Sequence, residues 1–148
     1  KNYNLHQTRA ASRVNAKTIQ VVYNRLDRTP EEDVFPACIA QDLGVLARVP
    51  LASGYLSGKY KPDAVFAAND VRNNHDPEQR AQRLKQVEEI KRSEVPPGMD
   101  MATWALAWCL KHDAVTCVIP GCKDEAQVIA NARAAEYVSD DHPQAWKP

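Results

Sequence analysis

GVLARVPLASGYLSGKY, Gly44 to Tyr60, joins a short apolar run to a turn of small residues and a Gly-Lys pair. Val45 to Arg48 reads as a strand, and Gly44 before it is a natural helix terminator. Pro50 to Gly54 follow the strand at once. If the strand lies in a parallel sheet, that turn sits at the C-terminal edge, where α/β folds place their ligands. The fold therefore turns on what flanks this stretch.

Upstream, TIQVVY, Thr18 to Tyr23, is β-branched and aromatic and predicts a strand. Between the two strands, Thr29-Pro30-Glu31-Glu32 has the composition of a helix start, with Pro in the first turn and acids near the positive helix end. The helix it opens is expected to carry Val34, Phe35, Cys38 and Ile39 on one face. Leu5 to Ser12 reads as the end of an earlier helix. Downstream, Tyr60 to Pro77 is polar and irregular, long for a connection, and long loops tend to be functional. Asp76-Pro77 opens a helix with Leu84, Val87 and Ile90 at helical spacing, and Val95-Pro96-Pro97-Gly98 breaks it. DMATWALAWCLKH, Asp100 to His112, is apolar enough for a helix packed on two sides. AVTCVI, Ala114 to Ile119, is a third strand. Asp124 to Glu136 is a helix with Asp124 as N-cap and Val128, Ile129 and Ala132 inward. The polar tail from Ser139 caps or frays.

Strands alternating with helices predict the α/β class, with parallel strands joined by right-handed crossovers. Continuously apolar strand runs fit a sheet covered on both faces. Three strands leave two edges unpaired, so this is expected to be part of a larger sheet or barrel.

The 148 residues suffice for one domain with a core. Lys+Arg and Asp+Glu are both 19, so no basic bias points to nucleic acid. No apolar run approaches the ~20 residues needed to cross a bilayer, and the polar start is not a signal peptide. Cys38, Cys109, Cys117 and Cys122 match no zinc spacing, and no metal site is expected. Three of them lie in apolar runs, as buried free thiols do, and a reduced, cytoplasmic protein is expected. The chain opens on Lys1 rather than Met.

Three places could carry chemistry. Pro50, Leu51, Ala52, Ser53 and Gly54 are small enough for backbone N–H groups to approach an anion, and Lys59 could add a point charge; from spacing alone a plain tight turn with a solvated lysine is the favoured alternative. In VIPGCKDEAQVIANA, Val118 to Ala132, a strand ends, Pro120-Gly121 turns and a helix begins, so Lys123 and the helix N-terminus could face a phosphate. Gln127 and Asn131, four apart, share a helix face and could read a base or a ribose. A capping Asp124 with solvated amides is the plainer alternative. Gln20 is a polar side chain within an apolar strand and needs a partner, either a ligand or a neighbouring backbone group.

QVVYN, GVLARVPLASGYLSGKY and VIPGCKDEAQVIAN, in this order, resemble the aldo-keto reductase family, and ATWALAWCLKHDAVTCVIPG is similar to its run into the last barrel strand. The family fold is a (β/α)8 TIM barrel of ~250 residues. The resemblance covers Thr18 to Glu136 and implies the C-terminal part of such a barrel, the sixth to eighth strands, as one partial domain over residues 1–148. It implies NADP(H)-dependent reduction of aldehydes or ketones, with hydride passing from the nicotinamide to the carbonyl carbon. By resemblance, Gln20 contacts the nicotinamide amide. Pro50, Leu51, Ala52 and Ser53 lie over the pyrophosphate, with Lys59 near the phosphates. Gly121 and Lys123 lie near the adenosine 2′-phosphate, and Gln127 and Asn131 hold the adenine. Arg48 stands where an aromatic often stacks on nicotinamide, Ala130 where an acid often lies near the adenine, and Arg72 is placed to reach the phosphates. The family's catalytic Asp, Tyr, Lys and His come from its first four strands, so no residue here is assigned catalysis, Tyr23, Tyr55, Tyr60, His75 and His112 included. The expected function is the cofactor-binding half of a carbonyl reductase. The alternatives are an NADPH-sensing regulatory subunit of the same fold and a cofactor-free assembly module. Such a half barrel is expected to self-associate or to be completed by an N-terminal portion.

Overall fold

In the computed structural model, residues 5–139 and 141–143 are described, so most of the tail expectation lies outside the described residues. Three parallel strands form one sheet in the order β1 (Thr18–Val22), β2 (Gly44–Arg48), β3 (Val115–Ile119). The β1–β2 register runs from Thr18 opposite Gly44 to Val22 opposite Arg48. The β2–β3 register slips between Val45 and Leu46 and ends with Arg48 opposite Ile119. Thr116 Oγ1 accepts from the Val45 N–H at 3.1 Å at the slip.

Helices α1 (Leu5–Ala10), α2 (Val34–Ile39), α3 (Pro77–Ser93), α4 (Met101–Leu110) and α5 (Glu125–Ala132) alternate with the strands as the sequence predicts. Three begin on the expected aspartates. Asp76 accepts from the Glu78 and Gln79 N–H groups at 2.9 and 3.1 Å, Asp100 from Thr103 at 2.9 Å and Asp124 from Gln127 at 2.8 Å.

Thr29-Pro30 opens only a 3₁₀ turn, and α2 starts at Val34. A helix running on from Pro30 would place Pro36 in its interior, where the ring meets the carbonyl four residues back. Restarting at Val34 puts Pro36 in the first turn, where its missing N–H costs nothing. Val34, Phe35 and Cys38 are buried, but Ile39, at the far end of that arc, is 57% exposed.

The core lies on one face of the sheet. Val21, Val45, Ala47 and Val115 pack with Phe35, Cys38, Tyr23 and Cys109. A second cluster joins Tyr55, Leu56, Leu84, Val87 and Ile90 to Met101 and Trp104. Helix α4 serves both, and its buried residues Met101, Trp104, Ala105, Leu106, Ala107 and Cys109 leave little free face, as expected. The opposite sheet face is open over most of its length among the described residues: Gln20 and Ile119 are exposed, Leu46, Arg48 and Cys117 are half-buried, and Val22 at the end of β1 is buried. The expectation of a sheet covered on both faces is thus corrected for this segment. The buried partner expected for Gln20 is not needed, because its side chain meets solvent.

Helix α5 also departs from expectation. Val128 and Ile129 are exposed and α5 buries no residue. The chain tightens to a 3₁₀ turn at Arg133–Tyr137, which brings Ala134 rather than α5 against Leu106 and Ala107.

Cys38 and Cys109 are buried and Cys117 half-buried, with burial raising all three thiols, Cys38 to about 11 and Cys109 to about 12. His112 packs against Phe35 at 4.6 Å between ring centroids, and its Nδ1 accepts from the Ala114 N–H at 3.1 Å. Burial lowers the His112 pKa, while the Glu31 carboxylate partly opposes the shift. The unfolded chain then binds more protons than the folded one below the ordinary histidine range, so stability rises with pH there. Urea midpoints should fall from pH 7.5 to 5.5, and a midpoint that is flat or rises over that interval contradicts this.

Candidate functional site

Because the strands are parallel and Arg48 lies opposite Ile119, the turns after β2 and β3 leave the same edge of the sheet side by side. The first turn is conformationally unusual. Val49, Ala52 and Ser53 have φ of 55°, 49° and 57°, and Gly54 has 87°. A β-branched residue in that region is a true outlier, and such strain gathers at functional sites. Leu51, at φ −95° and ψ 14°, precedes the left-handed Ala52. That right-then-left alternation curls the backbone tightly, and the Ala52 and Gly54 N–H groups close it by donating to the Val49 and Leu51 carbonyls at 2.9 Å.

Asn24, only 3% exposed, holds the turn in place. Its Nδ2 donates to the Val49 carbonyl at 3.1 Å, while its Oδ1 accepts from the Leu26 and Asp27 N–H groups. The exit from β1 is thereby bolted to the exit from β2. Pro50 and Ala52 are buried and Leu51 is half-buried, so they support the turn from beneath, whereas Ser53 is exposed.

The long loop folds onto this turn. The guanidinium of Arg72 lies over Tyr60 at 4.3 Å and Phe66 at 4.1 Å, and a Cβ added to Gly54 would lie 3.5 Å from its Nη1. Asp70 grips it in a two-pronged ion pair, with Arg72 Nε donating to Asp70 Oδ1 at 2.7 Å and Nη2 to Oδ2. That pairing holds the Asp70 carboxyl at about 2, and the positive charge of Lys123 contributes as well. Lys123 lies on the turn after β3, which leaves the sheet edge beside the turn after β2.

Gln127 and Asn131 turn back on their own loop. Lys123 N–H donates to Gln127 Oε1 at 3.1 Å, Gln127 Nε2 donates to Asp124 Oδ2 at 3.1 Å, and Asn131 Nδ2 donates to Cys122 Sγ at 3.1 Å. Among the described residues nothing lies within 4 Å of where a Gly121 Cβ would be, so the turn is open there. Gln20 and Arg48 share the open sheet face in consecutive rows below the rim. Lys59 is exposed at the end of the segment that follows the first turn and joins none of the ion pairs among the described residues.

A cavity of about 280 Å³ opens at the ends of β1 and β2, lined by Arg48, Ser53, Asn24, His75 and Arg83 among others. His75 Nδ1 lies 3.0 Å from the hydroxyl of buried Tyr55, whose pKa is raised, chiefly by burial. Asn24 and Arg83 are not singled out from the sequence, and His75 is there assigned no catalysis. Arg83 sits beside buried Leu84 on α3, and that adjacency was the available signal. The lining brings Arg48 and Arg83 together with the Asn24 amide, the Ser53 hydroxyl, the His75 imidazole and one carboxylate, Asp27, so its positive charge outweighs its negative. Among the described residues no cluster of three or more His, Cys, Asp or Glu side chains is placed to hold a metal, and no helix is long and apolar enough to cross a membrane.

The model of the Aldo/keto reductase family matches residues 2–145. A rice (Oryza sativa subsp. japonica) protein described as a probable voltage-gated potassium channel subunit beta is 31% identical over 125 residues, covering 80% of this chain and 38% of its own length. An aldo-keto reductase of Bacillus subtilis, YhdN, is 29% identical over 132 residues, covering 86% of this chain and 40% of its own. Among solved structures, the holo form of an aldo-keto reductase from Bacillus halodurans superposes with a TM-score of 0.68 at 28% identity, over 95% of this chain and 45% of that one. The chain thus spans about two fifths of the curated relatives it matches, and its parallel strands and helices are a portion of their (β/α)8 fold. On sequence and structure together, it belongs to the aldo/keto reductase family.

Proposed function

We propose that this segment holds the NADP(H) of an oxidoreductase that reduces aldehydes or ketones. The observation that carries the reading is that the left-handed turn after β2, with the Arg72 guanidinium beside Gly54, leaves the same sheet edge as the turn after β3 that carries Lys123. The residues present fit the group: a left-handed turn for the pyrophosphate, two cations for phosphate charge, and the open Gly121 turn with Gln127 and Asn131 for the adenosine. When bound, the nicotinamide supplies a hydride to a carbonyl carbon. This chain's part is to bind and orient. Arg72 and Lys123 neutralise phosphate, the Val49–Gly54 turn, braced by the Ala52 and Gly54 N–H groups donating to the Val49 and Leu51 carbonyls at 2.9 Å, presents exposed Ser53, and Gln20 and Arg48 line the face below. Pro50 and Leu51 shape the turn, with Lys59 as an outer charge. The proton donor lies outside the matched segment. Isothermal calorimetry of the chain with NADPH should show one saturable site, with NADH about tenfold weaker because a charged contact to the 2′-phosphate is lost. Equal affinities, or no binding, contradict this.

A second reading is favoured by the names of the plant relatives, which are channel beta subunits. In it the same rim senses NADPH without efficient turnover, and Arg48 takes the place of a stacking aromatic. A cofactor-free assembly module is the third reading, and NADPH binding would end it.

The open sheet face and the free edges of β1 and β3 also support completion by a second copy or by an N-terminal portion of the protein, in a cytoplasmic setting. Gel filtration of the chain at micromolar concentration should give dimers or larger species. A stable monomer would sink that expectation.

A further inference from the structure

Away from the nucleotide rim, α4 presents Trp104, Ala107, Trp108 and Lys111 along one side. They form the floor of a cleft of about 470 Å³, which falls in the range of small-molecule sites. Its walls are the linker from Pro96 to Met99 and the ring of Tyr137. It shares no residue with the cavity at the ends of β1 and β2.

The linker wall is a tight turn. The Met99 N–H donates to the Pro96 carbonyl at 3.1 Å, with Pro97 second and Gly98 third at φ 82°, as a type II turn requires. Trp108 packs with Tyr23, at 5.4 Å between ring centroids, and with the guanidinium groups of Arg25 and Arg28 at 5.7 and 5.5 Å. Trp104 is only 9% exposed. Between the two indoles, Ala107 supplies no bulk, and that gives the cleft its depth. Tyr137 is a large aromatic left 50% exposed over this space. The two indoles, held by their packing, lose little entropy when a ring enters beside them.

The charge at the mouth is one-sided. Glu94 is held by Arg25, whose Nε and Nη2 donate to its two carboxylate oxygens at 3.0 and 2.6 Å, so its negative charge is spent. Lys111 is exposed and takes no part in the ion pairs among the described residues, leaving an unbalanced positive charge at the rim. The geometry points to a second ligand site on the helix layer, taking a planar aromatic carboxylate whose ring lies among Trp104, Trp108 and Tyr137 and whose anion faces Lys111.

The test uses 2-naphthoate and its neutral counterpart 2-naphthamide, with the indole N–H signals of Trp104 and Trp108 followed by two-dimensional NMR. Naphthoate should shift both signals with one saturating constant, and excess NADPH should leave that constant unchanged. Tyr137→Ala should weaken binding about tenfold through the lost ring contact. Lys111→Gln should weaken naphthoate about threefold to fivefold and leave naphthamide as it was. Both side chains are exposed, so neither variant threatens the core. Failure to saturate at millimolar naphthoate, displacement by NADPH, equal affinity for naphthamide, or a loss under twofold in Lys111→Gln would each overturn the site. The readout is independent of the proposed nucleotide rim, since it needs no NADPH to bind.

Discussion

Arg72→Ala is expected to weaken NADPH binding by about 100-fold. A hydrogen-bonded charge contact contributes about 1.5–3 kcal/mol, which spans one to two orders of magnitude in affinity. The larger figure is expected because Arg72 is pre-positioned. Asp70 and the faces of Tyr60 and Phe66 hold the guanidinium beside Gly54 before any ligand arrives. Arg72→Lys should recover little, since an ammonium offers no planar fork for Asp70 and stacks poorly on two rings. Calorimetric titration of each variant reads the effect. A loss under threefold in Arg72→Ala would remove Arg72 from the nucleotide site and leave the Asp70 pair a purely structural clasp for the loop.

Phe35→Ala should cost about 3–5 kcal/mol of folding stability, a large share of what a domain of this size possesses. Phe35 is wholly buried, packed edge-on against Tyr23 at 4.7 Å between centroids and against His112 at 4.6 Å. Its loss leaves a void where the sheet, α2 and the end of α4 meet. Ile39→Ala, one turn further on, should change stability by less than about 0.5 kcal/mol, because Ile39 is 57% exposed. Urea unfolding of both variants makes the comparison. Similar costs at the two positions would mean that α2 buries the face the sequence pattern suggests, and not the narrower one described above.

That contrast shows where the sequence was legible. All three strands, and the aspartate caps of α3, α4 and α5, could be read because each rests on local chemistry: β-branched runs, a carboxylate able to accept the first free N–H groups, and proline in a first turn. Ile39, Val128 and Ile129 could not be placed, because helical periodicity gives the arc of a face and not its partner. For α5, the partner contact went instead to Ala134 on the 3₁₀ turn that follows. Gln20 looked like a buried polar group because its neighbours are apolar, but strand alternation sends it to the open side.

The site divides in the same way. Ser53, Lys123, Gln127 and Asn131 were named from turn and helix-start chemistry and from the family resemblance. The structure places these residues on the turns after β2 and β3, or on the helix that follows them. The interactions that set the rim's geometry are long-range and invisible in a window of sequence. Asn24 reaches from the end of β1 to the carbonyl of Val49, 25 residues on. Arg72 becomes the neighbour of Gly54 only because Tyr60 and Phe66 fold the intervening loop back. Gln127 and Asn131 lie four apart as expected, yet both spend their amides bracing the Cys122–Asp124 turn. Presenting those amides to an adenine requires that these bonds exchange on binding.

The central claim is that two backbone turns on one sheet edge close on a single dinucleotide, and amide chemical-shift mapping of the isotope-labelled chain with NADPH tests it most directly. The account predicts that Ala52, Ser53 and Gly54 shift together with Cys122, Lys123 and Gln127, all following one saturation curve. Shifts confined to one turn, two unequal saturation curves, or perturbation only at distant residues such as those of the Trp108 cleft would contradict it.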